Sequence, residues 1–228
     1  MNLLCGSFAV VAALMYNDLT LAFWLIVAGI VFDFFDGFVA RLLHSSSAIG
    51  VQLDSLADVI TSGLAPAAVL WQVCLQTEPC WLPEGWKLGL WRVRPGGVFC
   101  AASGQVQHRR NATVEFCGLP TPAGSLLCAS LGMLWQQGML ALSSDGVLLV
   151  AVLTSLLLVS PIRMFALKFH GFGWRGNEVR YLFLLASIVL IIILRTYAIP
   201  VIIVLYIVVS AVRWLCMRSG NPDKAPKA

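Results

Sequence analysis

Long apolar runs alternate with short polar breaks along most of the chain, and the breaks position the helices. Leu3 to Tyr16 is a short apolar run closed by the turn-forming pair Asn17-Asp18. Leu19 to Leu43 and Ala48 to Leu75 are longer runs, separated by polar His44 to Ser47, whose serines suit a helix N-cap. Further runs are Thr121 to Leu140, Val147 to Leu167, Tyr181 to Leu194 and Ile199 to Trp214. Several approach the roughly 20 apolar residues that a membrane-spanning helix needs. The pattern predicts an all-α fold, a polytopic transmembrane helix bundle of about seven spans within residues 1–217, followed by a polar tail at 218–228.

Two of these runs carry charges where lipid would be expected. Asp33 and Asp36 lie near the end of the second run, and Asp54 and Asp58 near the start of the third. An ionisable side chain at that depth costs about 3 kcal/mol or more, so it signals function by default. Spacings of three and four residues put each pair on one helix face. A short hairpin then brings the pairs to the same end of the bundle. Four carboxylates so placed call for a shared counter-charge, and a divalent metal bound by hard oxygen ligands supplies it. Gly37 and Gly50 flank the pairs and let a ligand or backbone approach closely. Arg41 follows Asp36 by five residues, where its guanidinium can fork onto a phosphate. Snorkelling to headgroups is an equal explanation for Arg41 and His44 taken alone.

Composition agrees with a membrane protein. Of 228 residues, 59% are hydrophobic and 11% charged. The net charge of +4 is modest, and the placement of the basic residues reads as topology rather than as a nucleic-acid surface. Seven cysteines include no C-x2-C pair, so neither a zinc site nor a disulfide framework is indicated. The three histidines are far apart and take no ligand role. The first run lacks a basic leader and a small-residue cleavage site, so it reads as a retained span.

The segment Val31 to Ala67 contains Asp33, Asp36, Gly37, Ala40, Arg41, Gly50, Asp54 and Asp58 in the pattern D-x2-D-G-x2-A-R-x8-G-x3-D-x3-D. This resembles the signature of the CDP-alcohol phosphatidyltransferases. The wording LDSLADVITSGLAPA, the later GLPTPA (Gly118 to Ala123) and the stretch Arg163 to Leu185 resemble the bacterial phosphatidylserine synthase branch. The resemblance implies transfer of a phosphatidyl group from CDP-diacylglycerol to the L-serine hydroxyl, with release of CMP. It implies Mg2+ or Mn2+ held by Asp33, Asp36, Asp54 and Asp58, with Asp58 also the general base. Gly37, Ala40, Arg41 and Gly50 would line the pocket for the CDP moiety, and Arg163 is the candidate for the serine carboxylate. The resemblance further implies a homodimer in the cell (inner) membrane, with its site open to the cytoplasm. The sequon Asn111-Ala112-Thr113 carries no weight in a bacterial branch.

One segment does not fit. The basic residues near Arg41, between Arg163 and Arg180, and in the tail should be cytoplasmic. Threading the chain by that rule requires residues 76–119 to cross the membrane an odd number of times. Their Arg-, Gly- and Pro-rich sequence holds no run long enough. Codons allowed for Cys100 to Thr113, read one base later, encode ALRLAKFNIDETQ, which resembles the A-x-R-L-A-K-F-N-x-D segment of the same branch. Residues 76–119 are therefore read as an aberrant, frame-shifted segment in which one family span is lost; a lineage-specific loop is the alternative. Rival functions are the same chemistry with glycerol phosphate or inositol as acceptor, an inactive remnant, and a cation transporter. A transporter would be expected to show a second copy of the Asp pairs, and the chain has none.

Overall fold

The computed structural model describes residues 1–42, 48–77, 97, 99–103, 118–160 and 178–220. The helices are α1 (Asn2–Leu14), α2 (Leu19–Leu42), α3 (Ala48–Val59), α4 (Ala65–Gln76), α5 (Thr121–Gln136), α6 (Ser144–Val159), α7 (Glu178–Leu194) and α8 (Ala198–Gly220). No strand occurs among the described residues, so the all-α expectation holds. The loop His44 to Ser47, most of residues 76–119, Arg163 with residues 168–177 of the basic loop, and the tail beyond Gly220 lie outside the described residues, and so do the readings made on them.

A π-helical turn, Ile60–Leu64, joins α3 to α4 without a break. Its cause is local. Pro66 has no N–H to give Ser62 and its ring crowds that carbonyl, so the turn widens and Ala65 bonds back to Ile60. Asp58 sits two residues before this turn.

Helix ends follow ordinary capping chemistry, which shortens two expected runs. α5 stops at Gln136 rather than Leu140, because Gly138 takes φ +69°. The amide of Gly138 bonds to Trp135 O and that of Met139 to Leu134 O, both at 3.0 Å, which satisfies the last carbonyls. α6 begins at Ser144 rather than Val147, where Ser143 Oγ accepts from Gly146 N at 3.2 Å. It ends at Val159, because Ser160 is extended ahead of Pro161.

α1 lies along α2 and crosses the π turn and α4. Its buried face is Asn2, Gly6, Ala9, Ala12 and Ala13, small residues that let helix backbones approach. Phe23, Ile26, Leu70 and Val73 fill the space between the central helices. At one end of the bundle Asn17 links the α1–α2 turn to two helices. Its side-chain oxygen accepts from Gln72 Nε2 at 3.1 Å and Gln76 Nε2 at 2.6 Å, and its carbonyl accepts from Gln136 Nε2 at 2.6 Å. α4 and α5 therefore both finish at the Asn17 end, while the aspartates lie at the other.

Three described stretches are long and apolar enough to cross a membrane: Leu19–Val39, Gln52–Gln76 and Tyr181–Trp214. The last is two helices rather than one. Arg195 takes φ +47°, and the rings of Phe183 and Tyr206 stand 5.9 Å apart, so α8 folds back on α7. Leu182, Leu185, Ile188, Ile192 and Ile193 on α7 are exposed, the surface a lipid-facing helix presents.

Candidate active site

α2 and α3 each deliver their aspartates to the end of the bundle opposite Asn17. The Asp33 carboxylate is half-buried and lies in side-chain contact with both Asp58 and Asp54. Three of the four sequence-marked carboxylates thus converge from two helices. Asp36 stays outside this group: it is exposed, and its oxygen lies 3.7 Å from the Met1 amine, a surface pair of little energetic weight. Among the described residues, no set of three or more His, Cys, Asp or Glu side chains already surrounds a common point as an ion cage does.

The remaining motif residues fall on the same two helices. Gly37 is half-buried in α2 and Gly50 exposed in α3, both at the carboxylate end. Ala40 and Arg41 belong to the last turns of α2, and their side chains lie outside the described set.

One residue of the site escaped the sequence reading. Asn2, 4% exposed at the start of α1, reaches between the two pairs. Its Nδ2 donates to Asp33 Oδ1 and to Asp58 Oδ1, each at 3.2 Å. Its main-chain carbonyl accepts from Thr61 Oγ1, in the π turn, at 3.2 Å. The site is therefore a three-helix construction, with α1 closing what α2 and α3 open. Hydropathy placed the first run from Leu3 and left Asn2 just outside it; a polar residue heading a stripe of small residues was the available signal.

Chemically, the cluster offers several hard carboxylate oxygens beside two glycines, at the end of otherwise apolar helices. Like charges held in contact favour a cation or a proton among them. Such a cluster can bind a divalent ion, take a proton from a hydroxyl, or do both.

A family model described as CDP-alcohol phosphatidyltransferase matches residues 1–162. Curated relatives share its character. The chain is 28% identical over 179 residues to a CDP-diacylglycerol–serine O-phosphatidyltransferase of Bacillus subtilis (strain 168), covering 75% of this chain and 88% of the relative. It is 27% identical over 203 residues to the protein of that name from Helicobacter pylori (strain ATCC 700392 / 26695), covering 86% of this chain and 80% of the relative. It is 31% identical over 237 aligned residues to that of Mycobacterium tuberculosis (strain ATCC 25618 / H37Rv), covering 98% of this chain and 81% of the relative.

Proposed function

The chain belongs to the CDP-alcohol phosphatidyltransferase family, and from that premise we propose that it moves the phosphatidyl group of CDP-diacylglycerol onto the hydroxyl of L-serine, releasing CMP. The observation that carries this reading is the meeting of Asp33, Asp54 and Asp58 at one end of the bundle, within a chain whose relatives are named for the serine reaction.

The donor set fits Mg2+ or Mn2+. It is made of carboxylate oxygens, the ligands hard cations prefer, drawn together from two helices. Asp33, Asp54 and Asp58 would hold the ion, with Asp36 beside them at the exposed rim. A bound divalent cation would offset the negative charge that builds on the phosphoryl oxygens.

The protein's own residues do the rest. The serine Oγ forms a bond to the phosphorus that carries diacylglycerol, and the bond from that phosphorus to the CMP phosphate breaks. Asp58 accepts the hydroxyl proton. Gly37 and Gly50, with Ala40 and Arg41, line the CDP moiety. The acyl chains lie against apolar helix faces such as those of α2 and α7, which are exposed. A place in the inner membrane, with the carboxylate end toward cytoplasmic serine and the chains paired as a homodimer, completes the reading.

The test is transfer of radiolabelled serine into chloroform-soluble lipid, with CMP release followed in parallel and Mn2+ or Mg2+ supplied. Labelled lipid from serine, but not from glycerol 3-phosphate or inositol, is the expected result. CMP release that depends on either other acceptor would sink the serine assignment.

A further inference from the structure

Asn2 holds a position that the carboxylates alone leave unexplained. Its Nδ2 stands 3.2 Å from Asp33 Oδ1 and 3.2 Å from Asp58 Oδ1, so the tip of the amide faces the point where the two helices aim their oxygens. The other tip, Oδ1, is buried and finds no hydrogen-bond partner among the described residues. A buried acceptor left so is costly, and it is uncommon outside functional positions.

The spacing has a second meaning. Ligand oxygens in an octahedral shell about 2.1 Å from a small divalent ion stand about 3 Å from their neighbours. The amide tip stands at nearly that separation from each of the two carboxylate oxygens. The two ends of a carboxamide differ little in size, and rotation about its last bond exchanges them. With the oxygen turned inward, Asn2 would present a neutral ligand beside two charged ones. Thr61 holds the Asn2 main chain in place for this, through the bond to its carbonyl.

From these distances we infer that Asn2 is a ligand of the cation site: its side-chain oxygen, turned toward Asp33 and Asp58, completes the set from the third helix. This rests on the cation reading above and adds a residue to it. As the structure stands, Asn2 bridges the two carboxylates through Nδ2.

The experiment uses the full chain in nanodiscs, with Mn2+ titrated and the free ion followed by its EPR signal. Asn2→Leu keeps the branched shape and removes both polar atoms; Asn2→Asp keeps an oxygen and removes the donor. Asn2→Leu should weaken Mn2+ binding by about 10- to 100-fold, the range seen when residues supporting a metal site are lost. Asn2→Asp should bind Mn2+ at least ten times more tightly than Asn2→Leu, on the order of one such step. A leucine variant that binds like the wild type overturns the proposal. So does an aspartate variant as weak as the leucine one, because the amide would then serve only as a donor. Wild-type protein that binds no Mn2+ overturns the cation reading itself, which keeps the two failures apart. Where the leucine variant does not fold, protein grown on 13Cγ-asparagine decides. Bound Mn2+ should show an electron–nuclear coupling to that carbon which is missing in Asn2→Asp, and its absence from the wild type overturns the assignment.

Discussion

The Cα of Thr61 lies 2.9 Å from the point where a β-carbon on Gly6 would stand. α1 can rest on the π turn only because residue 6 has no side chain, and the same contact sets Asn2, one helical turn earlier, against Asp33 and Asp58. Gly29 of α2 meets Thr61 from the other side, where an added β-carbon would stand 2.6 Å from Thr61 Cγ2 and 3.3 Å from Asn2 Oδ1. Alanine at either glycine should therefore disturb the site from outside it. Overpacking of this kind costs about 1–3 kcal/mol. Gly6→Ala should be the worse of the two, since it strikes main chain whereas Gly29→Ala first meets a methyl group. Thermal unfolding of the two variants checks the order, and equal midpoints would contradict it.

Thr61→Val separates shape from hydrogen bonding. Valine fills the notch between Gly6 and Gly29 but cannot donate to the Asn2 carbonyl. Stability should fall by about 1 kcal/mol, the usual net worth of one such bond. Activity should fall further than that loss explains, through a higher Mn2+ requirement. An unchanged Mn2+ dependence would show that Thr61 only packs.

Much of this architecture was legible in the chain, because hydropathy and breakers act locally. The run from Leu19 became α2, and that from Ala48 to Leu75 became α3, the π turn and α4, within one residue at their described ends. The carboxylate pairs were legible because charge at membrane depth stands out whatever the fold. What stayed hidden depends on contacts between distant segments. A π turn widens the helix by one residue without changing its hydropathy, so Ile60–Leu64 left no mark beyond Pro66. Asn2 looked like an ordinary polar residue at a helix start, and only its 56-residue separation from Asp58, closed by folding, gives it a role. Asp36 shares a helix face with Asp33 by its spacing, and in the fold it lies at the exposed rim beside the Met1 amine.

Gly118 supplies a test of the bundle away from the cluster. It takes φ +89°, and an added β-carbon would stand 3.1 Å from both the Leu158 carbonyl carbon and the Ser160 oxygen. The next residue, Leu119, bonds through its amide to Leu157 O at 3.0 Å and ties the start of α5 to the end of α6. Gly118→Ala pays about 1–2 kcal/mol for the left-handed backbone alone and adds the clash. The variant should accumulate poorly in membranes and unfold at a lower temperature. Normal yield together with a wild-type midpoint would refute the contact.

Residues 76–119 are tested at the gene. Where the segment is out of frame, the codons for Cys100 to Thr113 read one base later give ALRLAKFNIDETQ. Restoring that frame, with the return to the original frame before Gly118, should raise both membrane yield and CMP release. Codons that give an unrelated peptide remove the idea.

The last prediction concerns the sign of the charge effect at the cluster. Asp33 lies in side-chain contact with Asp58 and Asp54, and like charges held that close repel when no cation stands among them. Asp33→Asn removes one charge, keeps an acceptor oxygen for Asn2, and leaves the side-chain volume unchanged. In metal-free buffer it should unfold at a higher temperature than the wild type. Added Mn2+ should reverse the order. Binding to the folded state alone stabilises by about 2.7 kcal/mol at a hundred times Kd, and the wild type gains this while the variant gains little. Asp58→Asn should behave likewise in stability and should also lose about 100- to 10,000-fold in CMP release, the span attributed to a positioned general base. Thermal unfolding of the three proteins with EDTA and with Mn2+ reads out the crossing. Parallel shifts in all three would mean that these carboxylates do not share an ion.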